Sequence, residues 1–249
     1  MRKIVWITGA GKGIGRALAL KMAREGWTVA ASARTEADLR SLVLESEDYR
    51  IHAFPLDITD AAANQQVLND IEHKLGAIDL AVLNAGTHSP MTAKTFDVGI
   101  VRDLVETNLM GTVNGLGVLI PEFRRRGRGH IAVVSSVAGY RGLPTSAAYG
   151  ATKAALINMC EALKPELEQE NVALTLINPG FVETPLTSKN DFPMPFLVTS
   201  EEAAEAMYNG LINEQFEIAF PWKFAVIMKC LRLLPNRLFF FLTSRMVTR

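Results

Sequence analysis

"KIVWITGAGKGIG" (3–15) passes from an apolar, β-branched run straight into a loop with glycine at 9, 11, 13 and 15. An apolar run closed by clustered glycines and followed by helix-period residues reads as strand, turn and helix. Glycine tolerates positive φ and lets the backbone approach a bound group. A helix starting at Ile14 would turn free N–H groups and its positive dipole end toward an anion. "TGAGKGIG" (8–15) therefore reads as a phosphate cradle, although a tight turn alone would use the same glycines. The spacing is not G-x-G-x-x-G, since Ile14 and Arg16 stand where its last glycine would fall.

The same alternation continues outward along the chain. Strands are predicted at 3–9, 28–33, 51–56, 78–84, 130–136, 172–178 and 217–221, and helices near 14–25, 36–46, 60–75, 97–125, 149–170 and 200–213. "DITD" and "TSEEA" supply N-cap residues, with acids in the first turn, for the third and the last of these helices. The pattern predicts an α/β fold: one Rossmann-like, doubly wound parallel sheet of about seven strands with helices on both faces. Residues 1–221 form the expected nucleotide-binding catalytic domain, and 222–249 a basic, apolar helical extension.

Bulk properties narrow the function. The 249 residues are 49% hydrophobic and carry 26 basic and 26 acidic side chains, which gives nucleic acid no electrostatic footing. Cys160 and Cys230 make no disulfide framework, and His52, His73, His88 and His130 lack ligand spacing, so no metal is expected. No apolar leader with a cleavage site opens the chain, and a cytoplasmic setting is the expectation.

The end of the second strand bears on cofactor choice. An NAD-binding fold usually places an acid there for the ribose 2′-hydroxyl. Here the strand ends in Ala33 and is followed by Arg34, which suits a 2′-phosphate, and Lys12 adds a second cation. NADP(H) is the cofactor expected.

Three further stretches end strands where an open α/β sheet binds ligands: "NAG" (84–86), "SSVAG" (135–139) and "NPGFVET" (178–184). In "YGATKAAL" (149–156) Tyr149 and Lys153 lie one helical turn apart, on one side of their helix. Taken alone, that pair would also suit simple packing. The ordered set TGxxxGxG, NAG, Ser, YxxxK and PG resembles the short-chain dehydrogenase/reductase family over roughly residues 3–220. The resemblance implies Tyr149 as general acid–base, Lys153 as its partner and Ser136 as the hydroxyl that orients the substrate oxygen. It implies Asn108 as the anchor of a water relay behind Lys153. For the cofactor it implies the loop Thr8, Gly9, Gly11, Lys12, Gly13, Ile14 and Gly15, with Arg34. It also implies Asp57 and Ile58 at the adenine, and Asn84, Ala85 and Gly86 at the ribose. Tyr149 and Lys153 face the cofactor, and Pro179, Gly180, Val182 and Thr184 the nicotinamide. Leu83 departs from the asparagine that commonly precedes NAG.

A free tyrosine titrates near 10, far above neutral pH. A lysine cation and an oxidised nicotinamide beside Tyr149 are expected to lower that value. The segment 185–200 is the expected lid. Its Phe192, Met194, Phe196 and Leu197 suit an apolar ketone or alcohol, or else a lid packed on itself. A catalytically silent NADP(H)-binding redox regulator is the alternative, although it has no need of Ser136, Asn108, Tyr149 and Lys153 together. The tail 219–249 holds no acid, and Pro235 divides it into two short helical pieces. It is expected to dock on the core or a second subunit, or to lie on an anionic membrane as a peripheral contact. A homodimer through the helices near 97–125 and 149–170 is the expected assembly.

Overall fold

Alternation along the first strand sets the layers. In β1 (Ile4–Thr8), Ile4 and Trp6 enter one core while Val5 and Ile7 enter the other, so both faces of the sheet are covered. The computed structural model describes residues 3–46, 50–189 and 193–247. In it β1 pairs with β2 (Thr28–Ser32) and with β4 (Leu80–Leu83). Outside these lie β3 (Ile51–Ala53), β5 (Gly129–Val134), β6 (Val172–Pro179) and β7 (Glu217–Phe220). Together they make a seven-stranded parallel sheet in the order β3-β2-β1-β4-β5-β6-β7.

On the Val5 face lie α1 (Gly13–Arg24), α2 (Glu36–Glu45) and α7 (Ser200–Ile212), which bury Leu18, Met22, Leu39, Leu42 and Met207. The Trp6 face is covered by α3 (Ala61–Lys74), α5 (Gly111–Arg126), α6 (Ala147–Gln169) and α8 (Trp222–Leu233). Trp6 is fully buried, and its indole N–H donates to the Ser32 hydroxyl at 2.9 Å, so the strand carries no orphaned donor. Asp60 caps α3 through the Ala63 N–H, and Thr199 with Glu202 forms a reciprocal capping box on α7. The acids expected in the first turn are present in α7 and missing from α3.

Two predicted elements differ from those observed. The strand expected over 51–56 ends at Ala53, although Phe54 and Leu56 still donate to Ala31 and Ala33; Pro55, between them on this edge strand, lies where no ladder bond is needed. The helix expected over 97–125 is broken into α4 (Val98–Leu104), a π turn (Val105–Met110) and α5. Asn108, fully buried in that turn, accepts from the Thr87 N–H at 2.7 Å and donates to the Thr87 carbonyl at 2.9 Å. One wide turn thus trades helical regularity for a tie to the loop that follows β4. The tail divides at Pro235 as expected, into α8 and α9 (Asn236–Thr243).

Candidate active site

Helices change sides of the sheet between β1 and β4, and the crevice this leaves at the carboxyl ends of the strands is a cleft of about 470 Å³. Its floor is the glycine loop. Gly9 sits at φ +66°, and a Cβ there would stand 2.7 Å from Ala85 Cα; a Cβ on Gly15 would stand 2.4 Å from the Gly9 carbonyl. Thr8 locks the loop from beneath, its hydroxyl accepting from the N–H groups of Asn84 (3.0 Å) and Ala85 (3.2 Å). In return the Asn84 amide donates to the Thr8 and Gly9 carbonyls. The N-terminus of α1 has no side-chain cap and no acid in its first turn, so its N–H groups are left for a ligand.

Of the site residues named from the sequence, all but Thr8 and Asn108 line this cleft, and those two stand behind its wall. At one end Arg34 is exposed at the mouth, and its positive charge helps lower Asp57. The larger cause is the hydrogen bonds from Thr59, whose N–H and hydroxyl donate to Asp57 Oδ1 at 3.0 and 2.8 Å. Lys12 differs from expectation: its ammonium pairs with Asp38 at 3.2 Å rather than standing as an independent second cation. Asp38 is the third residue of α2, so the acid reaches the loop through tertiary packing that the sequence does not display.

At the other end α6 and the turn after β5 bring Ser136, Tyr149 and Lys153 into one place. The Ser136 hydroxyl accepts from the Ala138 N–H at 3.1 Å, donates to the Pro179 carbonyl at 3.3 Å and is hydrogen-bonded to Tyr149. Lys153, 4% exposed, donates to the Val134 carbonyl at 2.9 Å, and burial pulls its pKa down to about 8. Tyr149 departs from the expected lowering. Desolvation raises it and outweighs the Ser136 hydrogen bond that acts to lower it. The Lys153 ammonium lies 5.7 Å from the ring centroid and is committed to Val134, so it contributes no comparable lowering. Asn108 is engaged by Thr87 and, at 3.3 Å, by the Thr152 hydroxyl.

Sequence reasoning missed His88, whose ring meets Tyr149 edge-on at 4.7 Å between centroids. A bridge between Met91 and Ser146 holds the His88 segment against the start of α6. Nothing local to "THSP" signals that contact. From the expected lid the cleft takes Pro185, Leu186 and Thr187, while Met194, Phe196 and Leu197 do not line it. Phe196 instead leans on Phe224 of α8 at 6.1 Å. Phe192 and Arg249 lie outside the described residues.

Comparison with known proteins agrees with this geometry. Residues 3–193 match the short chain dehydrogenase family. An uncharacterized oxidoreductase of Myxococcus xanthus is 40% identical over 235 residues, 94% of this chain and 93% of that one. A solved short-chain dehydrogenase from Streptomyces avermitilis superposes with a TM-score of 0.84 at 27% identity, covering 99% of this chain and 97% of that one. An alcohol dehydrogenase from the archaeon Thermococcus sibiricus, complexed with 5-hydroxy-NADP, gives 0.78 at 25% identity over 88% and 96% of the two chains. A seven-stranded parallel sheet, a glycine loop at its switch point and a family match over most of the chain lead to one conclusion: this chain belongs to the short-chain dehydrogenase/reductase family of oxidoreductases.

Proposed function

We propose that the protein is an NADP(H)-dependent oxidoreductase that interconverts an apolar ketone and its alcohol. The observation that carries this reading is the meeting of Ser136, Tyr149 and Lys153 in the cleft that also holds the glycine loop and Arg34. The residues fit a dinucleotide: an uncapped helix N-terminus for the diphosphate, Arg34 for a 2′-phosphate, and Asp57 with Ile58 at the adenine end. Asn84, Ala85 and Gly86 would border the ribose, and Pro179, Gly180, Val182 and Thr184 the nicotinamide. Bound there, the cofactor supplies or accepts the hydride.

The protein's own groups handle the proton. In the reductive direction Tyr149 gives its phenolic proton to the carbonyl oxygen as negative charge develops, and Ser136 donates a hydrogen bond to the same oxygen. Burial keeps Tyr149 protonated in the free protein, the form needed to act as an acid. Lys153, anchored on the Val134 carbonyl with its ammonium beside Gly86, would hold the cofactor ribose next to Tyr149, and Asn108 fixes the Thr87 backbone that follows Gly86. A silent regulator would have no use for the cost of burying Lys153.

The homodimer through the α4–α5 and α6 helices, with Phe96 just before α4 and Val98 at its start both at 60% exposure, remains part of the proposal. So do a cytoplasmic setting and the division at residue 221. The test follows NADPH and NADH absorbance over a panel of apolar ketones. Reduction with NADPH in preference to NADH supports the reading. A panel with no turnover by either cofactor, from protein that binds NADPH, removes it.

A further inference from the structure

The C-terminal helices carry a surface that the cleft does not use. In α8, Phe224, Ala225 and Met228 are buried in the core. Trp222 (67% exposed), Val226 and Leu233 (83%) lie on its opposite face, at helical spacings of four and seven. In α9, Phe239 and Thr243 are buried while Phe240 and Phe241 stay more than half exposed. Singly exposed apolar residues are ordinary; this many on two consecutive helices are not.

The charges on the same helices have one sign. No Asp or Glu follows Glu217. Lys223 lies over the Trp222 ring at 5.8 Å and Arg245 over the Phe241 ring at 4.3 Å, so cations flank the exposed aromatics. Arg232 and Arg237 are exposed near the junction of α8 and α9, while Lys229 is paired with Glu217 of β7. The junction is built rather than frayed. Arg141, from the loop after β5, donates to the carbonyls of Leu231 (2.7 Å), Arg232 (3.0 Å) and Leu234 (2.6 Å) and to Asn236 Oδ1 (2.9 Å). Its guanidinium also stacks on Phe239 at 3.9 Å.

We propose that α8 and α9 seat the protein on an anionic membrane surface. Trp222, Leu233, Phe240 and Phe241 enter the interface, with Lys223, Arg232, Arg237 and Arg245 at the lipid phosphates. Amphipathic helices with aromatic and basic residues bind such surfaces by apolar burial plus attraction to anionic headgroups. Charge decides between occupants. A two-fold contact of this surface with a second copy would set like charges together with no acid in the tail to offset them. An anionic bilayer offers the missing charge everywhere. Among the described residues no helix is long and apolar enough to cross a membrane, so contact would be peripheral.

The seat adjoins the cleft. Phe224 stacks on Phe181 at 5.4 Å, and a Cβ on Gly180, which lines the cleft, would stand 2.7 Å from the Phe224 ring. The first turn of α8 therefore backs the wall on which substrate would lie. This deepens the apolar-carbonyl reading and rests on it for purpose: the substrate would be drawn from the bilayer.

The test sediments the full chain with phosphatidylcholine vesicles, with and without phosphatidylglycerol, at low and high salt. Pelleting with the anionic vesicles alone, reversed by salt, is expected. An Arg232→Ser, Arg237→Ser variant should lose about 25-fold in partitioning, about fivefold per cation. A Trp222→Ser, Phe240→Ser, Phe241→Ser variant should stay in the supernatant with its thermal midpoint and NADPH affinity unchanged. A full chain that remains in the supernatant with anionic vesicles overturns the proposal. So does a triple variant that still pellets but no longer self-associates, which would assign the surface to a second copy. Ketone reduction in vesicle-free buffer is scored separately, so failure of the membrane seat and failure of the reductase reading are distinct results.

Discussion

Replacing Lys153 by methionine should make the free protein more stable while it destroys turnover. Lys153 is 4% exposed, and burial alone pulls its pKa from 10.5 to about 8. Holding that ammonium charged inside the fold costs about 3 kcal/mol near neutral pH. Methionine fills the same volume without charge but gives up the hydrogen bond to the Val134 carbonyl, worth about 1 kcal/mol. The net expectation is a variant more stable by about 2 kcal/mol near neutral pH. The pH dependence gives the signature. The unfolded chain keeps the lysine proton up to 10.5 and the folded chain releases it near 8, so within that window the unfolded state binds more protons. Wild-type stability should therefore climb through this window, and the variant's advantage should vanish by its upper end. Urea unfolding of both proteins, without cofactor, at several pH values between neutral and alkaline reads this directly. A variant less stable than wild type at neutral pH, with a difference that pH does not move, would refute the reasoning.

Tyr149→Phe should keep NADPH affinity and lose at least about 100-fold in turnover, as expected for a missing general acid; steady-state rates and a fluorescence titration check both halves. Arg34→Asp should weaken NADPH far more than NADH, because it sets a carboxylate against the 2′-phosphate, and parallel losses would place Arg34 away from that group. His88→Ala removes an edge-on contact worth about 1 kcal/mol. It should lower turnover several-fold through a less restrained Tyr149 with cofactor affinity unchanged, whereas equal turnover would make the contact incidental. Arg141→Ala should free the α8–α9 junction, seen as faster amide exchange over residues 231–243 without a change in the sheet.

Local pattern accounts for what the sequence made legible. The alternation of Ile4 and Trp6 with Val5 and Ile7 announces a strand buried on both faces, and the glycines at 9, 13 and 15 announce the turn after it. Tyr149 and Lys153 share a helix one turn apart, so the sequence places them side by side without help from the rest of the fold. What was hidden depends on contacts between distant segments. Within the π turn Asn108 reaches Thr87, 21 residues away in sequence. Asp38 meets Lys12 only once α2 has packed beside the glycine loop. The rise in Tyr149's pKa reflects burial, which a pair of neighbouring letters does not convey.

The same dependence on distant contacts ties the tail to the turn that carries Ser136. Ser136 starts the turn Val137–Gly139, and the next two residues, Tyr140 and Arg141, both leave it for the C-terminal half of the chain. The Tyr140 hydroxyl donates to Glu217, the carboxylate that also receives Lys229 of α8 and, at 2.9 Å, the Asn178 amide of β6. Arg141 holds the end of α8 and the ring of Phe239. The loop that aims the Ser136 hydroxyl is thus braced by the element proposed to sit on the membrane. Cutting the chain after Pro221 would strip Arg141 of its carbonyls, Glu217 of Lys229 and Gly180 of the Phe224 ring behind it. Such a truncation should lose turnover even on water-soluble ketones, because Ser136 would lose its brace. Surface substitutions at Trp222, Phe240 and Phe241 should leave that turnover intact, since each of those side chains stays largely exposed. If the truncation and the surface variant lose turnover on a water-soluble ketone to the same extent, the brace does not operate through Arg141.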